Sequence, residues 1–181
     1  AGWAPWCLNA MRYLMIHRGV FDESKLYPWS FIAVEAMKSH CYGILQHAAI
    51  NHLGLYPNLL KVRHAAVVTK EAARKSAYAY FPSSEKPSSD WGQRVSMTNN
   101  FGDAVQTYSL ENCLDVATER PAWIVHSDIQ GDELAIFTEC GTRDTLQKRV
   151  ANVIIGTHSD ICHHSLFNHF SNLQWELVVA R

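Results

Sequence analysis

The chain has no long apolar run. Its longest hydrophobic stretches fall far short of the roughly 20 residues a membrane-spanning helix needs, so no membrane span is expected. It also lacks a charge of one sign. Lys and Arg number 16 against 17 Asp and Glu, for a net charge of −1 with histidine neutral. Without a basic excess there is no electrostatic footprint for nucleic acid or for an anionic membrane surface. No charged segment followed by an apolar one opens the sequence at Ala1, so no secretory leader is read there. Cysteine is sparse and unpaired in spacing: Cys7, Cys41, Cys113, Cys140 and Cys162 are scattered along the chain. An odd, dispersed set reads as free thiols in a reducing compartment, and a cytoplasmic protein is the expectation.

What is present is a globular composition. Hydrophobic residues make up 48% and charged residues 18%, which argues against disorder. The 181 residues suffice for one domain with a real core. No repeat and no linker divides them, so residues 1–181 are read as a single domain.

Periodicity gives the elements. Leu8, Met11, Leu14 and Met15 have helical spacing and predict a helix over Cys7–His17. Trp29–Val34 reads as a buried strand stopped by Glu35. Met37–Leu53 reads as a helix with Tyr42, Leu45, Ala49 and Leu53 on its inner face, ended by Asn51 and Gly54. Strands are expected at Leu59–Thr69 and, weakly, at Ala77–Phe81. Pro82–Asp103, rich in Ser, Pro, Asn and Gly, reads as a long loop of the kind that is usually functional or mobile. Ser109 should cap a helix running to Val116. Pro121 opens a strand ending at Asp128, and helical pieces at Asp132–Phe137 and Thr142–Lys148 break at Gly141. Val150–Thr157 is the next strand, Ile161–Asn172 a helix with Leu166 and Phe170 inward, and Trp175–Val179 a last strand. Near one-for-one alternation of strand and helix is the pattern of a doubly wound α/β layer structure.

Two blocks carry the chemistry: V-H-S-D-I-Q-G-D-E at Val125–Glu133 and I-I-G-T-H-S-D at Ile154–Asp160. Each is an apolar run ending in polar, turn-forming residues. In an open parallel sheet, ligand chemistry gathers at the carboxyl ends of the strands. The strand ends lie about 30 residues apart, one βαβ unit, so Asp128 and His158 are expected on one rim, with Glu35 on the same rim. A second cluster, Cys162, His163, His164 and His169, lacks the i, i+4 spacing of helical metal pairs, and no metal is expected.

These motifs, taken in order, resemble the FkbM-type family of S-adenosylmethionine-dependent methyltransferases. D-I-Q-G-D-E at Asp128–Glu133 is close to that family's acidic glycine motif, and I-G-T-H-S at Ile155–Ser159 is typical of one branch. V-E-A at Val34–Ala36, D-W-G at Asp90–Gly92 and Y-S-L at Tyr108–Leu110 add to the match, and A-G-W-A-P-W at Ala1–Trp6 looks like the tail of a glycine-rich first motif. The sequence departs from the pattern at Ala4, where glycine is usual, and at Asp132, where alanine is usual. The resemblance implies a Rossmann-like class I methyltransferase sheet with strand order three, two, one, four, five, seven, six. On that plan the chain is expected to be incomplete at both ends, lacking the first strand before Ala1 and a strand after Arg181.

The resemblance also assigns roles, each with a plainer alternative. S-adenosylmethionine is the implied cofactor, held by Gly2, Trp3, Glu35, Asp128 and Gln130. Glu35 would accept from both ribose hydroxyls, or be a solvated glutamate opening a helix. Gly2 would sit where backbone amides approach the methionine carboxylate. Asp128 would orient or deprotonate the acceptor hydroxyl, or cap the following helix. His158, as a histidine, suits a general base, or is a turn histidine bonded to backbone. Glu133 and Trp91 would bind substrate, or respectively stabilise a helix start and pack on the surface. The implied reaction is methyl transfer to a hydroxyl of a small molecule or glycan. The other readings are a non-catalytic cofactor-binding module of the same fold and a nicotinamide-dependent oxidoreductase.

Overall fold

The computed structural model describes residues 31–50, 60–81, 94–98, 102–117 and 122–178. The expected first helix, and Gly2, Trp3 and Trp91, lie outside the described residues. Two compact units divide the chain, Ala1–Ala65 and Ala66–Arg181.

In the first unit, the apolar pentapeptide Phe31–Glu35 forms β1, and Lys38–Ile50 forms helix α1. β1 pairs in parallel with the start of β2 (Leu60–Val67), in the register Phe31↔Leu60 to Glu35↔His64. Parallel neighbours need a crossover, and α1 lies in the connection between them. Ala33 and Ile44 are buried together against Leu60 and Val62. The inner face of α1 is not the expected one. Cys41, Ile44 and Ala48 are buried, whereas Tyr42 and Leu45 are 57% and 49% exposed. The helix is turned by one residue from the expected face, so that small Cys41 takes the inner place of Tyr42.

The second unit holds the rest. Thr69 ends the expected strand by capping α2 (Lys70–Lys75), its hydroxyl accepting from the Ala72 amide at 3.2 Å. This short helix was not legible in the sequence. Its first amides are also met by Glu139, a residue far along the chain, whose carboxylate accepts from Lys70 N at 2.5 Å and Glu71 N at 2.8 Å. β3 (Tyr78–Phe81) pairs antiparallel with β4 (Asp103–Tyr108), burying Ala79 opposite Val105. β4 corrects the sequence reading, which placed Asp103 in a loop and no strand after it. Buried Val105 and Thr107 flank exposed Gln106, a period-two signal, but one only a few residues long.

Ser109 caps α3 (Leu110–Ala117) as expected. Its hydroxyl accepts from Asn112 N, and Asn112 Oδ1 accepts in return from Ser109 N, a reciprocal capping arrangement. β5 (Ala122–Ser127) and β6 (Val150–Ile155) then pair in parallel, from Ala122↔Val150 to Ser127↔Ile155. Between them run α4 (Glu133–Thr138) and α5 (Thr142–Arg149), separated at Gly141 in left-handed backbone (φ 95°). α6 (Asp160–Asn172) follows, with Ser159 Oγ accepting from Cys162 N at 3.1 Å. The core joins Leu114, Ile136, Phe137, Leu146 and Leu166, with Val125, Val153 and Phe170 packed against it.

No strand forms at Trp175–Val178, against expectation. Trp175 N instead donates to Phe170 O at 3.0 Å, and the indole meets the Phe170 ring edge-on with centroids 5.5 Å apart. The aromatic pair ties the segment to its own helix. The described architecture is mixed α/β, and its strand pairings include the parallel pairs β1–β2 and β5–β6 and the antiparallel pair β3–β4. No helix among the described residues is long and apolar enough to cross a membrane. The four described cysteines are free thiols.

Candidate active site

The site begins where β5 and β6 stop. Gly156 N still donates to Ser127 O at 2.8 Å, so the ladder holds to the last residue of each strand. Beyond it both chains turn. Asp128 leaves β5 and His158 leaves β6, and His158 Nε2 lies 2.8 Å from Asp128 Oδ1. The side chains are 34% and 35% exposed, His158 and Asp128 respectively. Adjacent parallel strands bring together two residues separated by 30 positions. Nδ1 of His158 makes no hydrogen bond among the described residues.

Glu133 supports this pair from beneath. Its side chain is wholly buried, and its carboxylate is turned back into the loop that precedes α4. Oε1 accepts from Ile129 N at 2.8 Å and Oε2 from Gly131 N at 2.7 Å. Oε1 also lies 3.4 Å from His158 Nε2. A buried carboxylate is tolerable only when its charge is met. Here two amides, the imidazole and the start of a helix meet it. The acidic residue that sequence reading offered for substrate thus faces the loop backbone.

The loop itself is unusual. Gln130 (φ 63°) and Gly131 (φ 102°) are both left-handed, a conformation that disfavours side chains with a Cβ. Gln130 Nε2 donates to Asp128 Oδ1 at 3.2 Å, and its carbonyl accepts from Arg94 Nε at 2.6 Å. A Cβ on residue 131 would stand 1.9 Å from the Arg94 guanidinium, so glycine there serves both the turn and the arginine. Asp132 takes the N-cap position of α4 without a side-chain capping bond. The capping alternative for Asp128 is therefore not realised. Burial raises the Asp132 carboxyl above its ordinary value, and the Glu133 charge adds to this against the pull of Arg94. On β5, burial lowers His126, with the Asp128 charge opposing.

An open depression of about 450 Å³ lies beside the pair, lined by Thr157, His158, Ser159, Asp160 and His163. Its polar lining suits a hydroxylated ligand. Asp128, Glu133 and His158 also bring donor atoms within 4.8 Å of one another, making them the described residues that could ligate a cation. Glu133 uses both oxygens to accept from backbone amides, and Asp128 and His158 bond each other, so a cation there would compete with the hydrogen bonds that hold the loop and the pair. In the histidine-rich helix, the His164 ring is bonded to Asp160 O at 2.7 Å and Cys162 is buried.

Glu35 belongs to the first unit, at the carboxyl end of β1. Its Oε1 accepts from Met37 N at 2.9 Å, and Oε2 lies 3.6 Å from His40 Nδ1. Met37 immediately precedes α1, so this bond lies at the entrance to the helix. Arg94 is the site residue sequence reading missed. It lies two positions after the D-W-G motif, and nothing in the local pattern announces a contact 36 residues away.

The chain is 25% identical over 191 residues to a Jannaschia sp. (strain CCS1) protein named "Putative methyltransferase". The alignment covers 99% of this chain and 61% of that protein, so the chain spans about three fifths of its relative's length. No family model matches the chain, and no solved structure matches it.

Proposed function

We propose that this chain transfers a methyl group from S-adenosylmethionine to a hydroxyl of a small molecule or glycan, as an FkbM-type enzyme on a Rossmann-like sheet. The observation that carries the reading is the 2.8 Å contact between His158 Nε2 and Asp128 Oδ1 at two neighbouring strand ends. The distant relative's name supports the reaction class.

With its proton on Nε2 and donated to Asp128, a neutral His158 offers the Nδ1 lone pair outward. That atom takes the acceptor hydroxyl's proton. Asp128 fixes the ring and stabilises the imidazolium, and buried Glu133 adds a second negative charge 3.4 Å away. A positioned base contributes about 10² to 10⁴-fold. Holding the acceptor oxygen in line contributes the larger part, and the polar depression at Thr157–Asp160 and His163 is the place for it.

The cofactor fits the chemistry of the described donors. Glu35 is a carboxylate at the end of β1, and a carboxylate is the group that can accept from two ribose hydroxyls. Gln130 is the other described candidate for cofactor contact. Bound S-adenosylmethionine would supply a methyl already activated by its sulfonium. Glu133 contributes as the support of the pair, and a role in substrate contact is also proposed for Trp91.

Calorimetry with S-adenosylmethionine and with NAD tests the reading. S-adenosylmethionine should bind and NAD should not. Glu35→Ala should weaken cofactor binding more than it slows saturated turnover, because a ribose contact is equal in ground and transition states. Binding of NAD alone would replace the proposal with the oxidoreductase reading. Cofactor binding with no turnover on any hydroxylated acceptor would favour a non-catalytic module.

A further inference from the structure

We infer that Arg94 is a positioning residue for the Asp128–His158 pair, acting through Gln130. The inference rests on the reading of that pair as the acceptor-side base and its orienter.

Three contacts run in series. Arg94 Nε donates to the Gln130 carbonyl at 2.6 Å, a short charge-assisted bond. Gln130 is thereby held in left-handed backbone, φ 63°. In that conformation its side-chain amide folds back onto Asp128 Oδ1 at 3.2 Å. The same oxygen receives His158 Nε2 at 2.8 Å. Oδ1 thus meets two partners, Gln130 Nε2 and His158 Nε2, and both restrain the carboxylate. Losing the Gln130 donor leaves the carboxylate free to turn about its last torsion, and the imidazole turns with it.

Gly131 shows that the arginine's place is built. A Cβ there would come within 1.9 Å of one guanidinium nitrogen and 2.8 Å of the guanidinium carbon. The guanidinium lies across the glycine, in the space a side chain would take. Arg94 itself is anchored from elsewhere in the unit. Two residues on, Ser96 forms a bridge with Tyr80 of β3, N to O at 2.8 Å in both directions. The loop has its own fastening through Glu133 to Ile129 N and Gly131 N. Removing Arg94 therefore loosens Gln130 without releasing the whole turn.

The test uses Arg94→Ala, Arg94→Lys, Gln130→Met and the double variant Arg94→Ala/Gln130→Met. The first readout is the ring-nitrogen chemical shifts of His158 in protein labelled with ¹⁵N-histidine, which need neither cofactor nor acceptor. The second is kcat with S-adenosylmethionine and a hydroxylated acceptor. Arg94→Ala should move the His158 ring shifts and lower kcat roughly tenfold, with cofactor Kd within about twofold of wild type. Arg94→Lys, which keeps a cationic donor, should recover most of both. Gln130→Met should match Arg94→Ala in the ring shifts and in kcat at saturating cofactor, its own cofactor contact showing only in Kd, and in those two readouts the double variant should be no worse than either single one, because residues in one chain of contacts are not additive. Wild-type ring shifts in Arg94→Ala, or multiplicative losses in the double variant, overturn the inference. If the protein transfers no methyl group, the ring shifts still decide it. If Arg94→Ala melts early, the same decision passes to Gln130→Met and Arg94→Lys.

Discussion

Replacing Asp128 by asparagine isolates charge from shape at the proposed site. Asparagine keeps an oxygen acceptor for His158 Nε2 where Asp128 Oδ1 now stands, 2.8 Å away. It removes the negative charge that stabilises an imidazolium. Two unit charges about 4 Å apart interact by about 1 kcal/mol in water and about 4 kcal/mol at the effective dielectric of a protein surface. Both side chains are about one third exposed, so solvent screening puts the loss between these limits, about 2 to 3 kcal/mol. That corresponds to a roughly 10²-fold slower methyl-transfer step, at 1.4 kcal/mol per factor of ten. The assay is the rate of S-adenosylhomocysteine formation at saturating cofactor, with thermal melting and cofactor Kd as controls, both expected near wild type. Buried Glu133, at 3.4 Å from the same ring nitrogen, retains part of the stabilisation and keeps the variant from being dead. His158→Ala should lose the base outright. Wild-type turnover by Asp128→Asn beside an inactive His158→Ala would refute the charge argument and leave Asp128 an orienter only. Full activity in both variants would remove base catalysis from the mechanism.

Glu133→Gln should cost about 2 to 3 kcal/mol of stability, the scale of a hydrogen bond to a charged group, because an amide presents a donor to one of two backbone N–H groups; the urea midpoint reads it, and an unchanged midpoint would contradict the role of Glu133 in holding the loop. Burial lowers the folded-state pKa of His126, so the unfolded chain takes up that proton first as pH falls. Stability should therefore decline below about pH 6.5, and His126→Gln should flatten that part of the stability profile. Among the described cysteines, exposed Cys140 should alkylate first at mildly alkaline pH. Cys41 and Cys113 should lag, since burial pushes their thiols up to about 11 and about 12; mass spectrometry of partly alkylated protein gives the order.

Much of the element order was legible because its signals are local. Ser109 caps α3 by bonds within three residues, and Gly141 separates two helices by its own backbone conformation. The apolar runs that became β1, β5 and β6 were read from composition alone. Legibility failed where partners are distant or where size competes with pattern. α2 is six residues long and takes its first amides to Glu139, which no local reading supplies. α1 buried Cys41, Ile44 and Ala48 rather than Tyr42, Leu45 and Ala49, a turn of one residue that puts small Cys41 inside and bulky Tyr42 outside. Trp175 had strand-like neighbours but packed on Phe170.

By itself, then, the sequence determined that Asp128 and His158 would each follow an apolar strand, because an apolar run ending in polar turn residues is a one-dimensional pattern. Tertiary structure alone decided that those strands are neighbours, in a register that ends both together. It turned Glu133 inward by giving its two oxygens backbone amides to accept from. It also carried Arg94 across 36 residues to the Gln130 carbonyl. Strand ends follow from the periodicity of neighbours along the chain, whereas the distances between side chains at those ends follow from pairing and packing across it.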